Sequence, residues 1–529
     1  MSSQNYHKNV TVYSLIAAFG GFVFGLDAAN ISGAIRYVSS QFELDSMQVG
    51  IVVSCALLGV ILALLITGTL CEKFGRKKVL LGIAFTYSLS SIVSASALSY
   101  EMLVIGRFIG GVAFASITVS AMYIGEIAPA DLRGKFVSIN QFMIAIGLLL
   151  AFIINYVLVL VIDDISWLNN ENVWRYMLGA ELIANAFWIL MLLKIPESPR
   201  WLVMKSQVSA AKDVFSKIVA KDKVEEVTKE VIDSLNQEVK TDTLTQLKCL
   251  FSRKMSFVLW LAIVYAIVQG ATGMNAVLFF APMVFEQIGM SVEDTFMQTI
   301  TIGLVGVVST IIAITFVEKL GRRLLTLGGL LLVVVAHTSV WFGFNQAHYE
   351  IDHAAVTEIK AQMEKENIPL DKLDALVGKN YATDVELKKD LAQMFDKREL
   401  PLVSGAIINA SIQNVNVGMV LFGIFAFLAA FNMSIGPIMW VIFSEIFPNQ
   451  VRSVALPFAA LVQTVSSWAI QQFFPWQLEN LGAANTFLNY GIIALIGFVI
   501  MIFILPETKG KSIEMIEKDL VRKPSAVLN

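Results

Sequence analysis

Charge is scarce in this chain. Of 529 residues only 15% are Asp, Glu, Lys or Arg, against 56% that are hydrophobic. A water-soluble domain usually carries about 25% charged residues, so the composition, with a mean hydropathy of +0.69, points to lipid. The net charge of −3 is small and gives no support to a nucleic-acid partner, which needs a concentrated basic surface. Cysteine is also sparse. Cys55, Cys71 and Cys249 have no metal-ligand spacing to one another and form no disulfide framework. His337, His348 and His353 are too scattered to hold a metal. There is no phosphate-cradling glycine loop and no nucleophile elbow, so an enzyme is unsupported, no cofactor is expected, and no selectivity-filter motif suggests a channel.

Long apolar runs are what the chain does have. About 20 apolar residues carry a helix across the hydrocarbon core. Six such runs precede Pro196, near 11–36, 48–70, 79–98, 102–124, 136–161 and 175–194; six follow, near 256–286, 295–317, 324–345, 416–442, 452–474 and 484–505. No small-residue cleavage site closes the first run, so it reads as a retained span rather than a leader. The expected organisation is a first six-helix bundle (1–195), a charged helical linker (196–254), a second bundle (255–505) with an external insertion (346–416), and a tail (506–529). In the linker, 210–220 and 224–235 have amphipathic periodicity. Lys and Arg collect in Glu72-Lys-Phe-Gly75-Arg76-Lys-Lys78 and Glu318-Lys-Leu-Gly321-Arg322-Arg323, while the alternate loops are acidic or neutral. The positive-inside rule then places both termini and the linker in the cytoplasm of an inner or plasma membrane protein.

The chain is duplicated. Gly75-Arg76 returns as Gly321-Arg322, an offset of 246 residues; Glu126-Ile-Ala-Pro129 with Arg133 returns as Glu445-Ile-Phe-Pro448 with Arg452, an offset of 319. The offsets differ by 73, so the second copy carries an insertion of about that length, where the polar segment 346–416 lies. Parallel six-helix repeats are a transporter architecture. The duplicated acids and bases, Glu72, Arg76, Glu126 and Arg133 with Glu318, Arg322, Glu445 and Arg452, suit ion-pair networks that join cytosolic helix ends as a gate. Alternatively they only set topology.

Gly68-Thr-Leu-Cys-Glu72-Lys-Phe-Gly-Arg76-Lys-Lys, Gly106-Arg107-Phe-Ile-Gly110-Gly111, Pro196-Glu-Ser-Pro-Arg-Trp-Leu202 and Pro506-Glu-Thr-Lys-Gly510 resemble the motifs of the sugar porter family of the major facilitator superfamily over nearly the whole chain. The resemblance is nearest to the bacterial proton-coupled xylose and hexose symporters. It implies an all-α membrane fold of twelve transmembrane helices in two pseudo-symmetric six-helix bundles. It also implies a monomer in lipid that imports a small sugar or polyol with a proton by alternating access. The alternatives are an uncoupled sugar carrier and, from another class, a transporter-like nutrient sensor; the short tail after Pro506 speaks against the sensor.

Asp27 lies within an apolar span, where an acid costs about 2.5–3.5 kcal/mol on insertion scales and is functional by default. Arg107 on span four lies at a similar depth, within roughly 6 Å by helix rise. An opposite charge favours the ionised acid and burial the neutral one, so the pair suits proton coupling. Its alternative is a static salt bridge.

A sugar needs amides, which donate and accept hydrogen bonds, and a flat aromatic face. At the positions the family uses, the chain offers Gln141, Gln269, Asn275, Gln463 and Trp440, with Phe24 near Asp27 and Asn432 as a further amide. Any one of the amides can instead bond a neighbouring helix. Gly270, Phe279, Phe280, Gly306 and Thr464 depart from the resemblance, each removing a polar group or a ring. The cargo is therefore expected to differ from glucose or xylose bound in the family's usual way. The insertion is expected to be a charge-rich solvated loop with short helices near 356–367 and 385–395; a lid or a partner-docking element is the sharper reading.

Overall fold

The computed structural model describes residues 3–129, 133–162, 164–237, 243–362, 370–396, 399–448, 450–511, 515–516 and 520. Twelve helices in it are long and apolar enough to cross a membrane. Spans one to six are Tyr6–Gln41, Ser46–Phe74, Arg76–Ala95, Tyr100–Ile127, Ser138–Leu160 and Val173–Leu192. Spans seven to twelve are Ser256–Phe279, Val292–Phe316, Arg322–Asn345, Val417–Ile446, Arg452–Asn480 and Gly482–Ile504. All twelve coincide with the apolar runs. Most extend a few residues further, because a helix continues through polar flanking residues for as long as its backbone can bond internally.

Several spans are interrupted. Span four turns at Phe114–Ala115 and span ten at Ser434; Ala115 and Ser434 lie 319 residues apart, the offset that relates Glu126 to Glu445. The bend therefore belongs to the repeat. Span six divides just before Glu181. The run expected as one helix over 256–286 is three pieces, Ser256–Ala271, Met274–Phe279 and Ala281–Glu286. Gly273 takes the left-handed conformation at φ 89°, and Pro282 lies in the first turn of the last piece, where its missing N–H is tolerated.

The linker forms helices Pro199–Met204, Val208–Ile218, Val224–Gln237 and Thr243–Leu250 on the side that carries the chain termini. On the opposite side the insertion is not a solvated loop. His348–Glu350 (β1) pairs antiparallel with Asn380–Tyr381 (β2) and with Ile412–Gln413 (β3). Helices His353–Gln362, Asp384–Met394 and Leu400–Ser411 pack around them. Ile351, Ile359, Leu373, Leu376, Leu387, Leu391, Val403 and Ile407 make a core separate from that of the bundles. The charge count hid this because the apolar residues are spaced for one face of short helices, with Lys, Asp and Glu on the other. Residues 363–367 of the first expected helix lie outside the described residues.

The two halves are bonded together on the insertion side. Arg36 of span one meets Glu286 at 2.5 Å and the Leu402 carbonyl at 3.0 Å. Ser54 donates to Gln472 at 2.8 Å, and Gln472 donates to the Met47 carbonyl at 3.0 Å.

Candidate functional site

Span one and span four cross so that the Arg107 guanidinium lies 2.7 Å from Asp27 Oδ1. Both side chains are at most 5% exposed. Arg107 Nε has no hydrogen-bond partner among the described residues. Glu181, buried at the break in span six, stands beside Asp27 and Ser91. Two acids therefore share one guanidinium in a site shielded from water. At close range each carboxylate disfavours ionisation of the other, while the guanidinium favours it. Glu181 is absent from the sequence-based set, although an acid within an apolar run was signal enough.

Beside the cluster lies a cavity of about 170 Å³ between the halves. This is smaller than the ~300–1,000 Å³ of drug-sized pockets, and its wall is mainly apolar with a few polar groups. Phe24, Gln141, Asn275 and Asn432 line it, together with Phe279 and Thr310. Three amides from spans five, seven and ten thus face one space. Gly306 leaves room on the cavity wall, where a Cβ would stand 4.0 Å from Asn432 Nδ2. The remaining three residues are elsewhere. Gln463 donates to Gln269 at 2.9 Å and to Ser467 at 3.0 Å, so the two glutamines satisfy each other. Gly270 lets spans seven and eleven approach; a Cβ there would come within 2.9 Å of Ser466. Trp440 is 46% exposed and packs edge-on against Phe443 rather than on the cavity wall. Of the ring departures, Phe279 faces the cavity while Phe280 is buried against Phe474.

At the terminal side each half carries the same polar cluster. In the first half Arg76 pairs with Glu126 at 2.7 Å, Ser198 donates to Glu126, and the Arg76 and Lys77 amides donate to Glu197 at 2.8 and 3.0 Å. In the second, Arg322 pairs with Glu445 at 2.9 Å, Thr508 donates to Glu445 at 2.5 Å, and the Arg322 and Arg323 amides donate to Glu507 at 3.0 and 3.1 Å. Gly75 and Gly321, at φ 89° and 88°, lay the backbone directly against the two acids. These networks join helix ends within a half. Arg452 does not join its own: it donates to the Phe447 carbonyl at 3.0 Å. Glu72 contributes only its carbonyl, to Trp201 at 2.9 Å. The side chains of Arg133 and Glu318 lie outside the described residues. Glu197 and Glu507 were legible as a third repeat, Pro196-Glu197 against Pro506-Glu507, an offset of 310.

Burial alone would raise the proton affinity of Glu507, but backbone N–H groups of Lys509, Arg322, Arg323 and Thr508 outweigh it and hold the carboxyl below its usual range. A carboxyl lowered on folding stabilises above its unfolded value and loses that contribution as pH falls through the lowered one. Glu507→Gln should therefore lower the melting temperature at neutral pH and flatten its fall below about pH 4. Parallel melting curves for the two proteins across that range would contradict the assignment.

A family model described as Sugar (and other) transporter matches residues 13–355 and 401–520, passing over most of the insertion. The chain is 29% identical over 511 residues to the arabinose-proton symporter of Bacillus subtilis, covering 96% of this chain and 94% of that one. It is 28% identical over 553 residues to the D-xylose-proton symporter of Escherichia coli K12, covering 98% and 97%. Among solved structures it resembles the inward open conformation of the Escherichia coli xylose transporter XylE, with TM-score 0.73, 26% identity, and 97% and 100% coverage. The same symporter bound to 6-bromo-6-deoxy-D-glucose matches with TM-score 0.69, 27% identity, and 97% and 100% coverage.

Proposed function

This chain belongs to the sugar transporter family of the major facilitator superfamily, and from that premise we propose that it moves a small sugar or polyol together with a proton by alternating access. It is a multi-pass membrane transporter rather than an enzyme. The observation that carries the coupled reading is the water-shielded cluster of Asp27, Glu181 and Arg107 beside an amide-lined cavity. An acid that is paired with Arg107 in one state and released from it in another changes its proton affinity by the change of partner. That is what coupling requires.

The solute meets Gln141, Asn275 and Asn432, with Phe24 and Phe279 as apolar faces. Gln269 and Gln463, bonded to each other, are held back from the solute until the halves move; Trp440 joins only if span ten rotates inward. The substitution at Gly306 is offset by Asn432, whose Nδ2 lies 4.0 Å from where a Cβ on Gly306 would stand. The substrate class is thus a compact polyhydroxyl molecule with one apolar face. The basic loops put the termini, the linker and both polar clusters in the cytoplasm, and the insertion outside. The working unit is the monomer in lipid.

Uptake into proteoliposomes, screened across sugars, polyols and sugar acids with and without an inward proton gradient, tests the reading. Gradient-dependent accumulation of a neutral polyhydroxyl solute is the expected result. Equilibration at the same final level with and without the gradient would favour the uncoupled carrier, and no uptake of any solute would favour the sensor.

A further inference from the structure

Span seven breaks at Thr272 and Gly273 and resumes at Met274, where Val277 N–H returns to the Gly273 carbonyl at 2.9 Å. The chain leaves helical geometry at Gly273, so the Thr272 carbonyl is among those that a helix end leaves unmatched. His337, fully buried on span nine, lies with Nε2 3.0 Å from that oxygen. A carbonyl only accepts, so Nε2 carries the hydrogen and Nδ1 is bare. Nδ1 has no partner. A ring kept only for packing would be better replaced by a leucine, which leaves no buried nitrogen unmet. What the imidazole adds is the donor at the break.

The ring is itself held. Its centroid lies 4.3 Å from Phe427, 5.9 Å from Phe487 and 6.1 Å from Tyr490. Tyr490 is fixed in turn by its hydroxyl, which donates to Gln477 at 2.8 Å, and its ring lies where a Cβ on Gly273 would come within 2.8 Å. Spans nine, ten and twelve thus converge on one joint of span seven. On one side of the joint Gln269 is bonded to Gln463; on the other Asn275 faces the cavity.

We propose that His337 is a positioning residue: by donating to the Thr272 carbonyl it fixes the break in span seven and so aims Asn275 into the cavity. The proposal rests on the reading of Asn275 as a solute contact. His337→Leu removes the donor at similar volume, and His337→Gln places an amide N–H near the position of Nε2. In uptake assays His337→Leu should raise the half-saturation concentration about tenfold with little change in maximal rate, and His337→Gln should recover most of the loss. A second arm is independent of the cargo. In a Cys249→Ser background carrying Asn275→Cys, the rate of modification by methyl methanethiosulfonate should change several-fold with His337→Leu and stay at the parent value with His337→Gln. His337→Met replaces the leucine if that variant does not accumulate in the membrane. Parent-like thiol reactivity in the leucine variant, or a glutamine variant as impaired as the leucine one, overturns the proposal. Absence of solute uptake by the unmodified protein would end the sugar reading and leave the thiol arm to decide the role of His337.

Discussion

Asp27→Asn should accumulate no solute above equilibrium while still exchanging labelled for unlabelled solute across the membrane. One coupled proton moving down 100 mV supplies about 2.3 kcal/mol, enough for a roughly fiftyfold concentration ratio; the variant should bring that ratio to about one. The substitution keeps size and one acceptor oxygen for the Arg107 guanidinium, and removes the titratable charge. Breaking a buried ion pair usually costs about 3–5 kcal/mol because a charge is left unmatched. Here Glu181 stands beside the same guanidinium and can take over as counter-ion, so the variant should fold and exchange should survive. Accumulation and exchange measured on one proteoliposome preparation make the check. Full accumulation by Asp27→Asn would remove Asp27 from the coupling path, and loss of exchange as well would make it a structural residue.

The spans were legible because their signal is a simple one: a run of apolar residues, a charge bias in the loops and a repeat that aligns independent motifs. The Asp27–Arg107 pair was legible for a related reason. Two charges in apolar runs have few places to go, and helix rise alone brings them to one depth. What periodicity could not show is how side chains choose among neutral partners. Gln269 and Gln463 carry the same chemistry as Gln141, yet they bond each other because Gly270 draws spans seven and eleven together. Trp440 is likewise separated from the cavity by the orientation of one helix. The insertion was misread for a different reason. Its core is assembled from residues as distant as Ile351 and Ile407, and β1 at His348–Glu350 is completed by strands far along the chain. No local window contains that pattern.

Arg36→Leu should release the closed insertion side. Arg36 is the point where span one, the end of span seven and the insertion meet: one nitrogen lies 2.5 Å from Glu286, with both side chains about 10% exposed, and another donates to the Leu402 carbonyl at 3.0 Å. The second attachment of the insertion is Lys388, which donates to Gln287 at 2.6 Å and to the Leu478 carbonyl at 3.2 Å. The insertion therefore holds on to both halves at once. Removing Arg36 leaves the Glu286 carboxylate buried and unmatched only while that side is closed; once it opens, water solvates the acid. A penalty of about 3 kcal/mol confined to one state shifts the equilibrium by roughly a hundredfold. Spin labels at Glu101→Cys and Glu479→Cys, on the insertion-side ends of spans four and eleven in a Cys249→Ser background, should report a longer-distance population that the parent lacks. The double variant Arg36→Leu, Glu286→Leu should return most of that population to the short distance, because apolar residues of similar size replace a buried pair at little loss. An unchanged distance distribution in Arg36→Leu would mean that this pair holds nothing closed. A double variant as open as the single one would mean that the guanidinium itself, through the Leu402 carbonyl, is what ties the insertion to span one.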